Sequence, residues 1–170
     1  VLLWYAHGTV TPSLRWALAC ATRVVTSTPE GLRLASPKVH VIGQGINLTR
    51  YTIPTFAAVR RDLLYVGRIS PRKRIDLLLD IIQRLNAIQP NHGLRLRLVG
   101  PALTAVDQRY QEQLISRLAE RGLKRQVTFQ GPVDPDQIPA LHGTALLHIN
   151  VSQTGSVDKS VLEALACGCP

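Results

Sequence analysis

The chain has 170 residues, of which 45% are hydrophobic and 18% charged, a composition typical of globular proteins that excludes intrinsic disorder. Twenty lysines and arginines against eleven aspartates and glutamates give a formal net charge of +9. This excess predicts an anionic partner: a phosphorylated small molecule, nucleic acid or an acidic membrane surface. No apolar run approaches the ~18 residues that cross a bilayer. Because the chain starts at Val1, lacks Met and stops at Pro170, we expect it to be an internal piece of a longer protein.

The N-terminal part predicts a strand end, a helix opened by Thr11 and Pro12, and two β-branched strands: residues 4–8, 13–21, 24–28 and 39–43. Residues 48–59 show no strong hydrophobic period and are predicted to be a linker. We therefore predict two domains, residues 1–55 and residues 56–170.

Strands and helices alternate regularly after the linker. The predicted strands are residues 63–67, 94–99, 127–130 and 145–151, and the predicted helices are residues 71–89, 106–121, 135–142 and a last one that Asp158 opens. This alternation predicts an α/β fold with a parallel, doubly wound sheet. Ligands of such sheets bind at the carboxyl ends of the strands.

The turn over residues 67–74 is rich in cations. Ser70 and Pro71 are predicted to start a helix as N-cap and first residue. Arg72, Lys73 and Arg74 would then lie in its first turn, where they oppose the helix dipole. A bound anion would offset this repulsion, but a basic solvated face explains the same residues equally well.

The last sixteen residues, 155–170, predict a second anion site. A helix that starts after Asp158 presents unpaired backbone N–H groups and the positive end of its dipole. Glu163 lies roughly 6–8 Å further along the axis, within reach of a group attached to that anion. Taken alone, this stretch favours an ordinary helix with a solvated glutamate.

Several other kinds of site find no support. There is no Gly-x-Gly-x-x-Gly, Walker lysine or Gly-x-Ser-x-Gly pattern. Asp134 and Asp136 have the Asp-x-Asp form of some metal-binding transferases, but helix capping by Asp134 is the favoured interpretation. The five histidines lack metal-ligand spacing, and His40 and His148 are expected to be packed in strands. The three cysteines are expected to be small buried residues.

Two stretches taken together are recognisable. Tyr65–Asp76 and the Leu162–Gly168 helix resemble the signature of retaining glycosyltransferases of family four, which have the GT-B fold. Val41–Asn47, Leu98–Gly100 and Val127–Val133 are also similar to that family, in the expected order. The resemblance covers nearly the whole chain. It implies two Rossmann-like domains with parallel sheets, of which the chain holds the end of the first, acceptor-binding domain and most of the second, donor-binding domain.

The same resemblance implies roles for individual residues. Arg68 and Lys73 would bind the donor diphosphate and stabilise the leaving nucleotide in place of a metal. Glu163 would accept hydrogen bonds from the ribose. His7 would face the transferred sugar. The remaining implied donor contacts are Val133 beside the base and, near the phosphates or sugar, Gly155, Ser156, Asp158 and Lys159.

Gly155 departs from the family pattern. Family members place a first glutamate eight positions before the second, where it contacts the donor sugar, and Glu163 has Gly155 at that position. Glycine has no carboxylate, so the sugar would be bound by Asp158, by Lys159, by the backbone, or not at all. Because of this departure, the resemblance does not identify the donor.

The resulting hypothesis is a metal-independent, retaining glycosyltransferase. It would use a nucleoside-diphosphate sugar, no other cofactor, and a carbohydrate or lipid-linked acceptor. We expect no nucleic-acid partner, because only eight aromatics occur and none lies within residues 68–74. The expected location is cytoplasmic, with peripheral contact at the inner face of the membrane if the acceptor is lipid-linked. The chain by itself is expected to be inactive.

Three alternatives stay open at this point. The first is another enzyme on the same fold, a nucleotide-sugar epimerase or a phosphorylase. The second is a non-catalytic nucleotide-sugar-binding protein, which Gly155 makes conceivable. The third is a basic domain for nucleic acid or membrane surfaces, which predicts binding that depends steeply on salt.

Overall fold

The computed structural model describes residues 1–53, 60–152 and 157–170. The chain forms two compact units: Val1–Ile46 with Thr154–Lys159 belong to the first, and Asn47–Gln153 with Ser160–Pro170 to the second. The predicted domain boundary, between residues 55 and 56, falls outside the described residues. Within the described ranges, no helix combines the length and apolar character that a membrane span requires.

The first unit contains a three-stranded parallel sheet with the order β1-β2-β3, formed by Leu2–Trp4, Arg23–Thr26 and Val39–Val41. Helix α1, Pro12–Cys20, connects the first two strands. It begins where predicted, because the Thr11 hydroxyl accepts the Leu14 N–H at 3.1 Å and caps the helix. A small apolar core lies beneath the helix: Leu14, Ala21, Val24 and Leu32.

The second unit contains a four-stranded parallel sheet with the order β6-β5-β4-β7. Its strands are β4 Asp62–Val66, β5 Arg95–Val99, β6 Val127–Gly131 and β7 Leu147–His148. Its helices are α2 Ile75–Ile88, α3 Ala105–Glu120, α4 Ile138–Thr144 and α5 Lys159–Ala166, with 3₁₀ turns at Pro71–Lys73 and Pro135–Gln137. The predicted parallel α/β architecture is confirmed.

Helix α2 holds the centre of the second core. Its apolar residues recur at helical spacing, as the sequence predicted, and each is at most 1% exposed: Ile75, Leu78, Leu79 and Ile82. They pack with Leu96 and Leu98 of β5 in one cluster. Burying a side chain of this size stabilises the fold by about 1.5–3 kcal/mol, so this face fixes α2 on the sheet.

Two predicted elements differ in the structure. The predicted helix over residues 71–89 is wrong as a single helix, because Arg74 adopts a left-handed conformation with φ of 51° and separates the 3₁₀ turn from α2. The predicted strand over residues 145–151 is too long. The Ala145 N–H donates to Leu141 O at 3.1 Å and closes α4, so β7 begins only at Leu147.

Some burial predictions are also corrected. His40 is exposed, because it lies on β3 at the edge of the first sheet. Cys20 is exposed at the last residue of α1, whereas Cys167 and Cys169 are buried. His148 is partly buried, and its ring meets the ring of His142 edge-on at 5.1 Å.

Candidate functional site

The order of the second sheet locates the candidate site. Strands β5 and β6 lie on one side of β4, and β7 lies on the other, so the chain reverses its direction of winding at β4. Open parallel sheets bind ligands outside the carboxyl ends of the strands at such a switch point. The described segments that follow these strands here are the turn after β4, residues 67–74, and residues 149–152 after β7.

The turn after β4 is fastened to its neighbour by the backbone. The Gly67 N–H donates to Val99 O and the Ile69 N–H donates to Pro101 O, both at 2.9 Å. Ile69 is 1% exposed and belongs to the core. The path of the main chain through Arg68 is therefore fixed on both sides.

Arg68 leaves this turn as an exposed side chain. The buried Tyr65 hydroxyl donates to Arg68 O at 3.0 Å and holds the peptide in place. Nε of Arg68 lies 3.8 Å from Oδ2 of Asp107, and the arginine side chain remains 45% exposed. The buried Asp107 thus orients the guanidinium, which remains accessible to solvent.

The 3₁₀ turn Pro71–Lys73 follows, and its Lys73 N–H donates to Ser70 O at 3.0 Å. Ser70 occupies the predicted N-cap position, but its side chain makes no capping hydrogen bond. Its Oγ is buried and has no hydrogen-bond partner within the part of the chain that is described. Lys73 is partly buried and Arg72 is exposed. Because α2 starts only at Ile75, these cations precede its first turn instead of lying within it.

Tyr110 of α3 and Arg74 both bind Asp76. Arg74 Nη2 lies 3.4 Å from Oδ2 of Asp76, and the Tyr110 hydroxyl donates to Oδ1 at 2.9 Å. Burial alone would raise the pKa of Asp76, but the hydrogen bonds from Tyr110 and Arg74 outweigh burial and hold the pKa below its ordinary value. The charged carboxylate therefore anchors the left-handed Arg74 at the end of the turn.

Glu163 lies on α5 and is partly buried. Tyr51, which is 9% exposed, faces it from the segment before the second sheet. Burial, with a hydrogen bond to Glu163, raises the pKa of Tyr51 to about 12. The sequence did not identify Tyr51, because the stretch around it has no regular pattern.

Among the other predicted donor contacts, the structure describes Val133, Asp158 and Lys159. Val133 lies in the loop after β6, partly buried. Helix α5 begins at Lys159, immediately after Asp158, as the sequence predicted. Asp134 accepts the Asp136 N–H at 2.8 Å as a cap, and Asp136 forms an ion pair with Arg50. Gly155 and Ser156 lie outside the described residues.

His7 belongs to the first unit. It is exposed and follows β1 at the carboxyl end of that strand. Its backbone N–H and that of Gly8 both donate to Gly31 O, at 2.9 and 3.0 Å. The loop is therefore held at the strand end where the prediction placed this histidine.

Residues 55–170 match the family model described as "Glycosyl transferases group 1". The D-inositol 3-phosphate glycosyltransferase of Nocardia farcinica is 31% identical over 169 residues, covering 90% of this chain and 37% of that protein. The mannosylfructose-phosphate synthase of Agrobacterium fabrum is 26% identical over 165 residues, covering 86% of this chain and 36% of that protein. The chain thus spans little more than a third of the length of these curated relatives.

The crystal structure of Anabaena HepE in complex with UDP and glucose is similar with a TM-score of 0.82 at 20% sequence identity. The match covers 99% of this chain and 51% of that one. At this identity the likeness concerns the fold alone, and it confirms the predicted GT-B architecture.

Proposed function

Because the chain belongs to the glycosyl transferases group 1 family, we propose that it transfers a sugar from a nucleoside-diphosphate donor to a hydroxyl group of an acceptor. The observation that carries this proposal is the turn after β4, which presents Arg68 and Lys73 at the switch point of the second sheet. Two cations on so rigid a turn are best suited to bind a diphosphate.

Electrostatic stabilisation is the chemistry that we propose for this turn. When the bond between the sugar and the diphosphate breaks, negative charge grows on the leaving phosphate oxygen. Arg68 and Lys73 would stabilise that charge without a metal ion, because their positions are set before the reaction begins. We further propose that the new bond retains the anomeric configuration of the donor and that no cofactor other than the donor takes part.

Glu163 is proposed to bind the ribose of the donor. Its carboxylate accepts hydrogen bonds, and it lies one turn into α5, near the segment after β7. Val133, Gly155, Ser156, Asp158 and Lys159 complete the proposed donor contacts, and His7 is proposed to face the transferred sugar. Since Gly155 has no side chain, Asp158 and Lys159 are the polar side chains proposed to select that sugar.

The acceptor is proposed to be a carbohydrate or a related polyol. The names of the two relatives, a D-inositol 3-phosphate glycosyltransferase and a mannosylfructose-phosphate synthase, make phosphorylated polyols and sugars the first compounds to test. A lipid-linked sugar is the second class. With a lipid-linked acceptor, the protein would act in the cytoplasm and contact the inner face of the membrane.

The diphosphate assignment can be tested by titrating UDP, GDP and ADP into the wild type and into Arg68→Ala and Lys73→Ala. We expect each variant to weaken binding of the preferred nucleotide by about tenfold or more, since hydrogen bonds to charged groups contribute about 1.5–3 kcal/mol. Arg72→Ala is the matched control, because Arg72 is an exposed cation in the same turn. Equal affinity in the wild type and both site variants would contradict the assignment.

Product analysis separates transfer from the alternatives on the same fold. Incubation of the complete protein with donor and acceptor should give a new glycoside, and donor alone should stay unchanged apart from slow hydrolysis. Conversion of the donor to a different nucleotide sugar without acceptor would indicate an epimerase. Tight donor binding without any product in the complete protein would indicate a binding protein.

A further inference from the structure

Asp107 is a buried carboxylate that touches the candidate site from a neighbouring helix. It lies in the first turn of α3 and is 5% exposed. Its Oδ2 accepts the Thr104 N–H at 3.2 Å, which completes a capping box with the Thr104 hydroxyl. The same oxygen lies 3.8 Å from Nε of Arg68. The helix cap therefore fixes the carboxylate, and the carboxylate faces the arginine.

One helical turn further along α3, a second side chain contacts Asp76, which follows the loop after β4. Tyr110, three residues after Asp107, accepts the Asp76 N–H at 3.0 Å and donates to its carboxylate. Asp76 in turn pairs with Arg74. Two side chains on one face of α3 thus contact Arg68 within the turn after β4 and Asp76 just beyond it.

We propose that Asp107 is a positioning residue for the donor diphosphate and acts through Arg68. The carboxylate holds the guanidinium at its Nε edge, and the Nη groups are the donors that meet the phosphate oxygens. A half-exposed arginine otherwise loses conformational freedom when it binds, and this loss weakens affinity. The proposal rests on the proposed function, because it assumes that Arg68 binds the diphosphate.

The direction in which diphosphate affinity changes when the Asp107 carboxylate is removed distinguishes positioning of Arg68 from simple charge repulsion. A carboxylate beside an anion site repels phosphate, so its removal should tighten binding if charge alone matters. If Asp107 fixes Arg68, its removal should weaken binding. The two mechanisms therefore predict opposite changes in the same dissociation constant.

The test is the Asp107→Asn variant, whose side-chain oxygen can still accept the Thr104 N–H. The probe is whichever of UDP, GDP and ADP the wild type binds best, and its nucleoside serves as the phosphate-free comparison. Because Asp107 is buried and Arg68 is half exposed, we expect the diphosphate to bind about threefold to fivefold more weakly, with nucleoside binding unchanged. Adding Asp107→Asn to Arg68→Ala should cause no further loss.

Thr104→Ala is the matched control, because it removes the other half of the capping box and leaves the ion pair with Arg68 in place. Thr104→Ala should lower Tm without selectively weakening diphosphate binding. Unchanged or tighter diphosphate binding in Asp107→Asn would overturn the proposal, as would an equal loss in Thr104→Ala. If Arg68→Ala has no effect either, the proposed function fails as well, so the two failures are distinguishable.

Discussion

A Cβ atom on Gly100 would lie 2.1 Å from the carbonyl oxygen of Gly67, closer than any real Cβ approaches a backbone atom. Gly100 also has φ of 136°, a conformation that residues with a side chain rarely adopt. The loops that follow β4 and β5 therefore touch through their backbones. This contact is what allows Gly67 and Ile69 to donate hydrogen bonds to the end of β5 and to the loop after it, which fixes Arg68 between them.

Gly100→Ala is accordingly expected to destabilise the protein strongly, because the methyl group can fit only if one of the two loops moves. Gly122→Ala is the matched control: Gly122 has φ of 68° but no atom within 4 Å of the position of its Cβ. The control should lose about 1–2 kcal/mol from the left-handed conformation alone. Urea unfolding measures both variants, and equal losses would contradict the steric explanation.

The bond between Tyr110 and Asp76 gives a second prediction. Tyr110→Phe removes the hydroxyl that both accepts and donates a hydrogen bond at Asp76, so we expect a loss of about 1–3 kcal/mol. A double-mutant cycle with Asp76→Ala isolates the interaction, since the loss from Tyr110→Phe should shrink once the carboxylate is gone. Additive losses would show that the two side chains contribute independently.

Sequence periodicity predicted most of the fold because the relevant signals are local. The apolar spacing of Ile75, Leu78, Leu79 and Ile82 identifies the buried face of α2 without knowledge of its partners. The caps at Thr11 and Asp134 were recognisable for the same reason, since a cap involves residues two or three positions apart.

The break at Arg74 could not be predicted in this way. Its left-handed conformation accompanies an ion pair with Asp76, and Asp76 is held by Tyr110, which lies 34 residues away in sequence. Asp107 escaped notice for a similar reason, because its pairing with Arg68 depends on how α3 packs beside β4. The cations of the site were therefore predictable, but the side chains that hold them were not.

The buried His142 predicts how stability responds to acid. Burial, with electrostatic repulsion from nearby His148, lowers the pKa of His142 from 6.5 to about 4. Between these values the unfolded chain binds more protons than the folded one, so stability is full above pH 6.5 and is lost as pH falls towards 4. A shift of this size corresponds to a loss of about 3 kcal/mol across the window.

Thermal unfolding at intervals from pH 7.5 to 4 would measure this loss in the wild type. His142→Leu places an apolar side chain at a position that is 0% exposed and removes the titrating group. The Tm of this variant should therefore depend less on pH in that range. The His40→Leu variant is a control, because His40 is exposed and its loss should leave the pH dependence as it was. The same slope in His142→Leu and the wild type would exclude His142 as its source.

The final prediction concerns metal ions. Within the described ranges, no three His, Cys, Asp or Glu side chains are grouped so that they could hold one. If Arg68 and Lys73 supply the positive charge for the leaving diphosphate, EDTA should leave the initial rate of transfer by the complete protein unchanged, and added Mg²⁺ or Mn²⁺ should not raise it. Lys73→Ala should instead lower kcat, because the charge it carries would stabilise the transition state. Loss of activity in EDTA that Mn²⁺ restores would contradict the proposed electrostatic mechanism, since the metal would then provide the stabilisation assigned to the two cations.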